Sequence, residues 1–286
     1  MIRIVAALVA TNANFYLTTW EEYHTGNLFL SAFSGPVEGI LLIVGVFVVT
    51  GFYGRSLSRG RVAGGGWRID EKWVVGPSFW DQGVVTLSGL NSIPLVAALK
   101  IKDLPLNDLF MILSTIGLLV NILTSTSNVY HSLPASTRTY SSIYKPLTRL
   151  FPYAVHTIAM ISWLAAQEEI LHTTLLIPFF IFWGITFAHH VGLLILSHLT
   201  KAPFPSLYKH PLLLLSILGS LDANAWRVGR SSLGHEDHES VKWTVVGGVV
   251  VATFVYGHFV WEVVGDICEF YDIKLVPSLS FFVVTL

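Results

Sequence analysis

The chain has 286 residues, 53% apolar and 12% charged, and its 17 Lys and Arg against 18 Asp and Glu leave a formal net charge of −1. A soluble domain carries about 25% charged residues, so this composition excludes an ordinary soluble globule, and the near-neutral balance excludes the basic stripes that nucleic-acid binders set against phosphate. The single cysteine, Cys268, excludes an internal disulfide, an iron–sulfur cluster and a Cys-rich zinc site.

A hydrocarbon core of about 30 Å takes about 20 apolar residues per helix. Seven stretches meet that requirement: 2–19, 36–53, 105–127, 150–167, 170–199, 210–226 and 242–264. The expected fold is therefore all-α, a polytopic integral membrane protein whose residues 1–286 form a single transmembrane helical domain. The first stretch holds Arg3 as its only charge and has no small-x-small cleavage site before Trp20, so it reads as a retained span rather than a signal peptide. Just past it, Thr19 to Gly26 spells T-W-E-E-Y-H-T-G, placing Glu21, Glu22 and His24 at the membrane boundary.

Ser34 to Leu41 reads S-G-P-V-E-G-I-L. With Gly35 as cap and Pro36 at the first helical position, Glu38 falls at the third, where a carboxylate meets free backbone N–H groups. Gly35 and Gly39 also allow a ligand or another backbone to approach closely. A helix cap and a functional carboxylate both remain open for Glu38. The stretch 54–83 is rich in Gly and Arg, has no period and is expected to be a flexible polar loop, with Arg55, Arg59, Arg61, Arg68 and Lys72 solvated or touching headgroups. An eighth apolar stretch, 84–100, carries Ser88, Gly89, Asn91, Ser92 and Pro94 and reads as re-entrant or interfacial. Trp20, Tyr23, Trp80, Trp163, Trp226, Trp243 and Trp261 fall near the stretch ends, where amphipathic rings sit at headgroup level.

Further along, Ala188 to Pro205 ends a long apolar helix. His190 and His198, eight residues apart, lie within about a quarter turn of each other on that helix, although a lone histidine on an apolar helix is more often a satisfied core residue than a ligand. Lys201, ahead of Pro203 and Pro205, marks the helix end and suits either the helix dipole or a phosphate. His235 and His238 lie three apart in a polar loop without a third ligand. There is no H-E-x-x-H, G-x-S-x-G or G-x-x-x-x-G-K, so zinc-protease, serine-hydrolase and ATPase chemistries lack support.

The combination resembles the CDP-alcohol phosphotransferase family, the eukaryotic choline and ethanolamine phosphotransferases in particular. T-W-E-E-Y-H-T-G and G-P-V-E-G (35–39) carry the resemblance. They are followed in order by D-L-P-L-N (103–107), V-G-L-L-I-L-S-H-L-T-K-A-P-F-P (191–205), P-L-L-L-L (211–215) and I-C-E-F-Y-D-I-K (267–274). The resemblance implies transfer of phosphocholine or phosphoethanolamine from CDP-choline or CDP-ethanolamine to diacylglycerol, with release of CMP. It further implies a homodimer among membrane lipids of the endoplasmic reticulum or Golgi, and Mg²⁺ or Mn²⁺ on the pyrophosphate.

On the same ground, Glu38 is the candidate general base, with His24 and His198 as further catalytic candidates. Glu21, Glu22, Gly35, Gly39 and Lys201 line the substrate side. The family's metal signature, D-G-x-x-A-R…G-x-x-x-D-x-x-x-D, does not occur: no Asp-Gly dipeptide is present, and Asp81-Gln82-Gly83 lacks the Ala-Arg and the later aspartates. Leu193 and Leu194 also depart from the family's V-G-R-I-I. The chain thus reads as the C-terminal two thirds of such an enzyme, with no metal ligands and no activity alone. The alternatives are a non-catalytic membrane subunit or pseudoenzyme partnering a complete relative and, more remotely, a metal-dependent hydrolase using His235 and His238.

Overall fold

The computed structural model describes residues 2–27, 44–45, 48, 57–58, 74–75, 103–134, 140–205, 210–225, 227 and 238–271. Gly35, Glu38, Gly39 and His235 lie outside the described residues, as do most of 36–53 and all of 84–100. The described elements are α1 (Ile2–Thr25), the strands β1 (Leu57–Ser58) and β2 (Val74–Val75), α2 (Leu106–Ser132), a 3₁₀ turn at Tyr140–Ile143, α3 (Tyr144–Thr148) and α4 (Phe151–Ala166). They continue with α5 (Glu168–His172), α6 (Leu176–Leu199), α7 (Pro211–Ala225) and α8 (His238–Tyr271).

The architecture is helical. Leu106–Ser132, Leu176–Leu199 and Glu239–Tyr271 are each long and apolar enough to cross a membrane, and the chain is an integral membrane protein. Large apolar side chains stand outward on these helices, with Leu123 71% and Phe254 74% exposed. In water such faces would be a liability; in a bilayer they are the solvent-matched surface. Within the stretch 54–83, the two strands pair antiparallel, Leu57 with Val75 and Ser58 with Val74.

Backbone contacts divide the chain into two compact units. One comprises residues up to Thr18 with Leu28–Ser127; the other comprises Thr19–Asn27 with Asn128–Leu286. In the first unit α1 and α2 run parallel. Arg3 pairs with Asp108 at 2.8 Å, and further along both helices the Asn121 amide donates to the Asn14 side-chain oxygen. An amide pair between helices satisfies polar groups where no water can.

In the second unit α4 and α6 form an antiparallel hairpin: Tyr153 meets Phe187, His156 meets Thr186, and Trp163 meets Phe179. The apolar stretch expected at 170–199 is interrupted here, because Glu168 and Glu169 open the short α5 and Thr173 closes it, so the long helix starts at Leu176. α7 runs parallel to α4, fixed by His156–Ser216 at 3.2 Å, Asn224–Ser162 at 3.0 Å and Arg227 donating to the Ala165 carbonyl at 2.8 Å. α8 runs parallel to α6, with Gly248 against Phe182 and Phe259 against Gly192. The unit's core is Met160, Trp163, Phe179, Phe182, Trp183, Leu194, Leu212 and Leu213, each nearly inaccessible.

Candidate functional site

Helix α1 does not stop where its apolar run stops at residue 19; it continues to Thr25, so the T-W-E-E-Y-H-T-G residues occupy its last two turns. Gly26, at φ +74°, ends it, its N–H donating to the Glu22 carbonyl at 2.8 Å. This is the left-handed cap for which glycine carries no steric cost. Trp20 is wholly buried and donates from Nε1 to the Pro146 carbonyl at 3.0 Å, which pins this end of α1 to α3.

The four polar side chains of these turns have different partners. Glu21 is 2% exposed and accepts from the Asn128 amide at 2.6 Å, near the end of α2. Glu22 faces His198 at the end of α6, Oε1 to Nε2 3.9 Å, and both side chains are about a quarter exposed (29% and 25%). The Tyr23 hydroxyl donates to the Ala202 carbonyl at 3.1 Å, and its ring meets Phe204 edge-on at 5.4 Å. His24 Nε2 lies 3.5 Å from an Arg149 guanidinium nitrogen. That guanidinium sits over the Tyr23 ring at 5.4 Å and the Phe204 ring at 5.3 Å. Burial first, and the neighbouring Arg149 charge second, lower the pKa of His24 to about 4, so at neutral pH its Nε2 is an acceptor for Arg149.

The end of α6 is built differently from that of α1. Lys201 N–H reaches the His198 carbonyl at 3.2 Å and Ala202 N–H the Ser197 carbonyl at 2.9 Å, the paired bonds of a Schellman cap. The left-handed residue in that cap is Lys201 itself, at φ +53°. Among the described residues it is the one non-glycine with positive φ, a conformation that costs an L-residue about 1–2 kcal/mol.

Of the residues singled out in the sequence, Glu22, His24 and His198 therefore meet in one cluster, with Lys201 at its edge. Glu21 is turned away toward Asn128, and Glu38, Gly35 and Gly39 lie outside the described residues. His190 and His198 have separate surroundings: His190 is buried with its ring 5.1 Å from that of His156 and 4.5 Å from that of His210, and neither of its ring nitrogens has a hydrogen-bond partner within the protein. Arg149 and Asn128 carry no sequence signal, since each lies more than a hundred residues from α1 and belongs to no motif.

The residues at this site do not fit an Mg²⁺ or Mn²⁺ centre. Such ions take several oxygen ligands, whereas Glu21 is engaged with Asn128 and Glu22 with His198. Among the described residues no three His, Cys, Asp or Glu side chains are grouped to hold a metal.

No family model matches the chain. It is 30% identical over 269 residues to an uncharacterised CDP-alcohol phosphatidyltransferase class-I family protein of Schizosaccharomyces pombe, covering 92% of this chain and 58% of that protein. It is 31% identical over 209 residues to choline/ethanolaminephosphotransferase 1 of Saccharomyces cerevisiae, covering 70% and 44%. To cholinephosphotransferase 1 of the same yeast it is 28% identical over 267 residues, covering 91% and 58%. The chain spans about half the length of the curated relatives it matches. Two of these relatives are named as transferases acting with choline or ethanolamine groups. Over the part of those proteins that it spans, the chain is similar to the CDP-alcohol phosphatidyltransferase class-I family.

Proposed function

We propose that the chain supplies the acceptor side of a choline or ethanolamine phosphotransferase in an endomembrane such as the endoplasmic reticulum or Golgi. In this reaction a diacylglycerol hydroxyl attacks the headgroup phosphorus of CDP-choline or CDP-ethanolamine, the bond to CMP breaks, and CMP leaves. The observation that carries the reading is the meeting of T-W-E-E-Y-H-T-G with S-H-L-T-K-A-P-F-P at one end of the second unit. Glu22 and Tyr23 of the first motif join His198, Ala202 and Phe204 of the second, at a helix end past the apolar run, where a lipid hydroxyl would arrive.

Within that cluster His198 accepts the hydroxyl proton, and the Glu22 carboxylate orients the imidazole and stabilises the imidazolium that forms. His24 is a poorer base, because Arg149 occupies its Nε2 and opposes a second proton. Glu38, for which the same role was expected from the family resemblance, is the competing base. The 286 residues lack the D-G-x-x-A-R signature, and the charge neutralisation that phosphoryl transfer requires would be supplied by that signature, with its Mg²⁺ or Mn²⁺, in a partner or in a longer form of the protein.

The test is CMP release from CDP-choline and CDP-ethanolamine, with and without diacylglycerol, in membranes containing these 286 residues alone and a version with the aspartate signature added ahead of Met1. The expected result is none for the first and diacylglycerol-dependent release for the second. Silence in both, with intact protein, would favour a non-catalytic subunit.

A further inference from the structure

His156 of α4, His189 and His190 of α6, and His210 at the start of α7 form one cluster inside the second unit, each residue 3% exposed or less. Ring centroids lie 5.1 Å apart for His156 and His190, 4.5 Å for His190 and His210, and 6.5 Å for His189 and His210. Phe259 of α8 closes the group, 5.1 Å from His189. Helices α4, α6, α7 and α8 therefore meet at imidazoles rather than at aliphatic side chains.

Hydrogen bonding accounts for only one of the four rings. His156 Nδ1 faces the Ser216 hydroxyl and Nε2 the Thr186 hydroxyl, both at 3.2 Å. Nδ1 of His189 and both ring nitrogens of His190 and His210 have no partner; the Pro205 carbonyl is near His210 but closes no hydrogen bond with it. Each such nitrogen is a cost to folding, and five together point to a use other than packing. The cluster is not grouped to hold a metal ion. Facing the rings are one another, the Ser216 and Thr186 hydroxyls, Trp183 and Phe259; no carboxylate, lysine or arginine among the described residues pairs with them. The nearby titratable groups are engaged elsewhere, Tyr153 against Phe187, Tyr256 stacked on Phe259, and His258 with Glu262 at 3.7 Å.

A proton arriving here meets no counter-ion, and a second would repel the first at close range. His210 bears a further penalty. Its carbonyl accepts from the Leu213 N–H at 3.0 Å and the Leu214 N–H at 3.3 Å, which places it at the N-terminus of α7, where the helix dipole opposes positive charge. In water an imidazole takes up a proton freely in mild acid, so acid favours separating the rings. Ahead of His210 runs the 201–205 segment, whose Ala202 carbonyl receives the Tyr23 hydroxyl and whose Phe204 meets the Tyr23 ring.

We infer that His156, His189, His190 and His210 form an acid-operated clasp, which at neutral pH holds the start of α7 against α4 and α6 and on protonation releases that start with the 201–205 segment ahead of it. The clasp concerns packing and stands or falls separately from the proposed transfer reaction.

The test is hydrogen exchange of residues 211–216 in the 286-residue chain in uncharged detergent micelles, read by mass spectrometry between pH 7 and 5 and corrected for the intrinsic rate. Opening that takes up one proton multiplies the open population about tenfold per pH unit, and two protons about a hundredfold. Protection of 211–216 should fall about a hundredfold from pH 6 to pH 5, and protection of 178–184, in the other half of α6, should fall less. His190→Leu and His210→Gln each remove one site of protonation and should make the fall about tenfold shallower. His190→Gln, also uncharged at every pH, replaces the leucine variant if that one does not melt cooperatively at pH 7. The exposed His258→Gln should leave the fall as it is. Protection unchanged from pH 7 to 5, a fall as large in 178–184, an equal fall in both cluster variants, or one flattened as much by His258→Gln overturns the inference.

Discussion

His24 shows how a single side chain links the site to pH. Its pKa is near 6.5 in the unfolded chain and about 4 in the folded one. At pH 7 it is neutral in both states, so it contributes no pH dependence there. Between about pH 6.5 and 4 the unfolded chain takes up a proton that the folded chain refuses, and stability falls as pH falls. Melting of the chain in detergent micelles should therefore drop more steeply from pH 7 to 4.5 than melting of His24→Gln. The difference between the two curves isolates this histidine from the others, and parallel curves would show that His24 is not shielded as described. Glu21 offers a second test: Asn128→Leu leaves a buried carboxylate without its donor and should lower the melting temperature by more than Glu21→Gln in the wild-type background, since unpaired buried charge is the costlier defect.

Helix packing in the second unit depends on glycine positions that hydropathy does not distinguish. A Cβ on Gly219 would lie 2.1 Å from the Trp163 ring, so α7 can approach α4 only with glycine there. Gly219→Ala should destabilise by about 1–3 kcal/mol, the usual cost of overpacking, whereas Gly184→Ala, with nothing within 4 Å of the added carbon, should be neutral or stabilising by about 0.5–1 kcal/mol. Thermal melting of the two variants checks this, and an unperturbed Gly219→Ala would contradict the close α4–α7 contact.

At this scale apolar runs marked where α2, α6 and α8 lie, because a bilayer sets a length that composition alone reveals. They did not mark the break at 167–175, where two glutamates and two threonines are outweighed by flanking leucines in any long window. Nor did they show that α1 runs on to Thr25, because its last turns are polar on account of their contacts with α3 and α6. The site was half legible. Glu22, His24, His198 and Lys201 were indicated by motif, while Arg149 and Asn128 reach it through folding alone.

For the molecule as a whole, the described helices present lipid-facing apolar surfaces and no grouped metal ligands, and both features can be tested directly. The chain should stay with the membrane pellet after alkaline carbonate extraction, since spanning helices do not depend on surface charge for retention. Chelation should leave its melting temperature unchanged, because no folding energy is tied to a bound ion among the described residues. A fall with EDTA that zinc restores would revive a metal role for His235 and His238.

Whether residues at the ends of α1 and α6 perform the proton-transfer part of a headgroup transfer is read from turnover in three proteins. In the version with the aspartate signature added, diacylglycerol-dependent CMP release is measured for the wild-type sequence, His198→Gln and Glu38→Gln, normalised to folded protein. A general base contributes about 10²–10⁴-fold. A loss of that size is expected in His198→Gln with an unchanged melting temperature, and a milder effect in Glu38→Gln. Near-normal turnover in His198→Gln beside a large loss in Glu38→Gln would contradict it and place the base at Glu38.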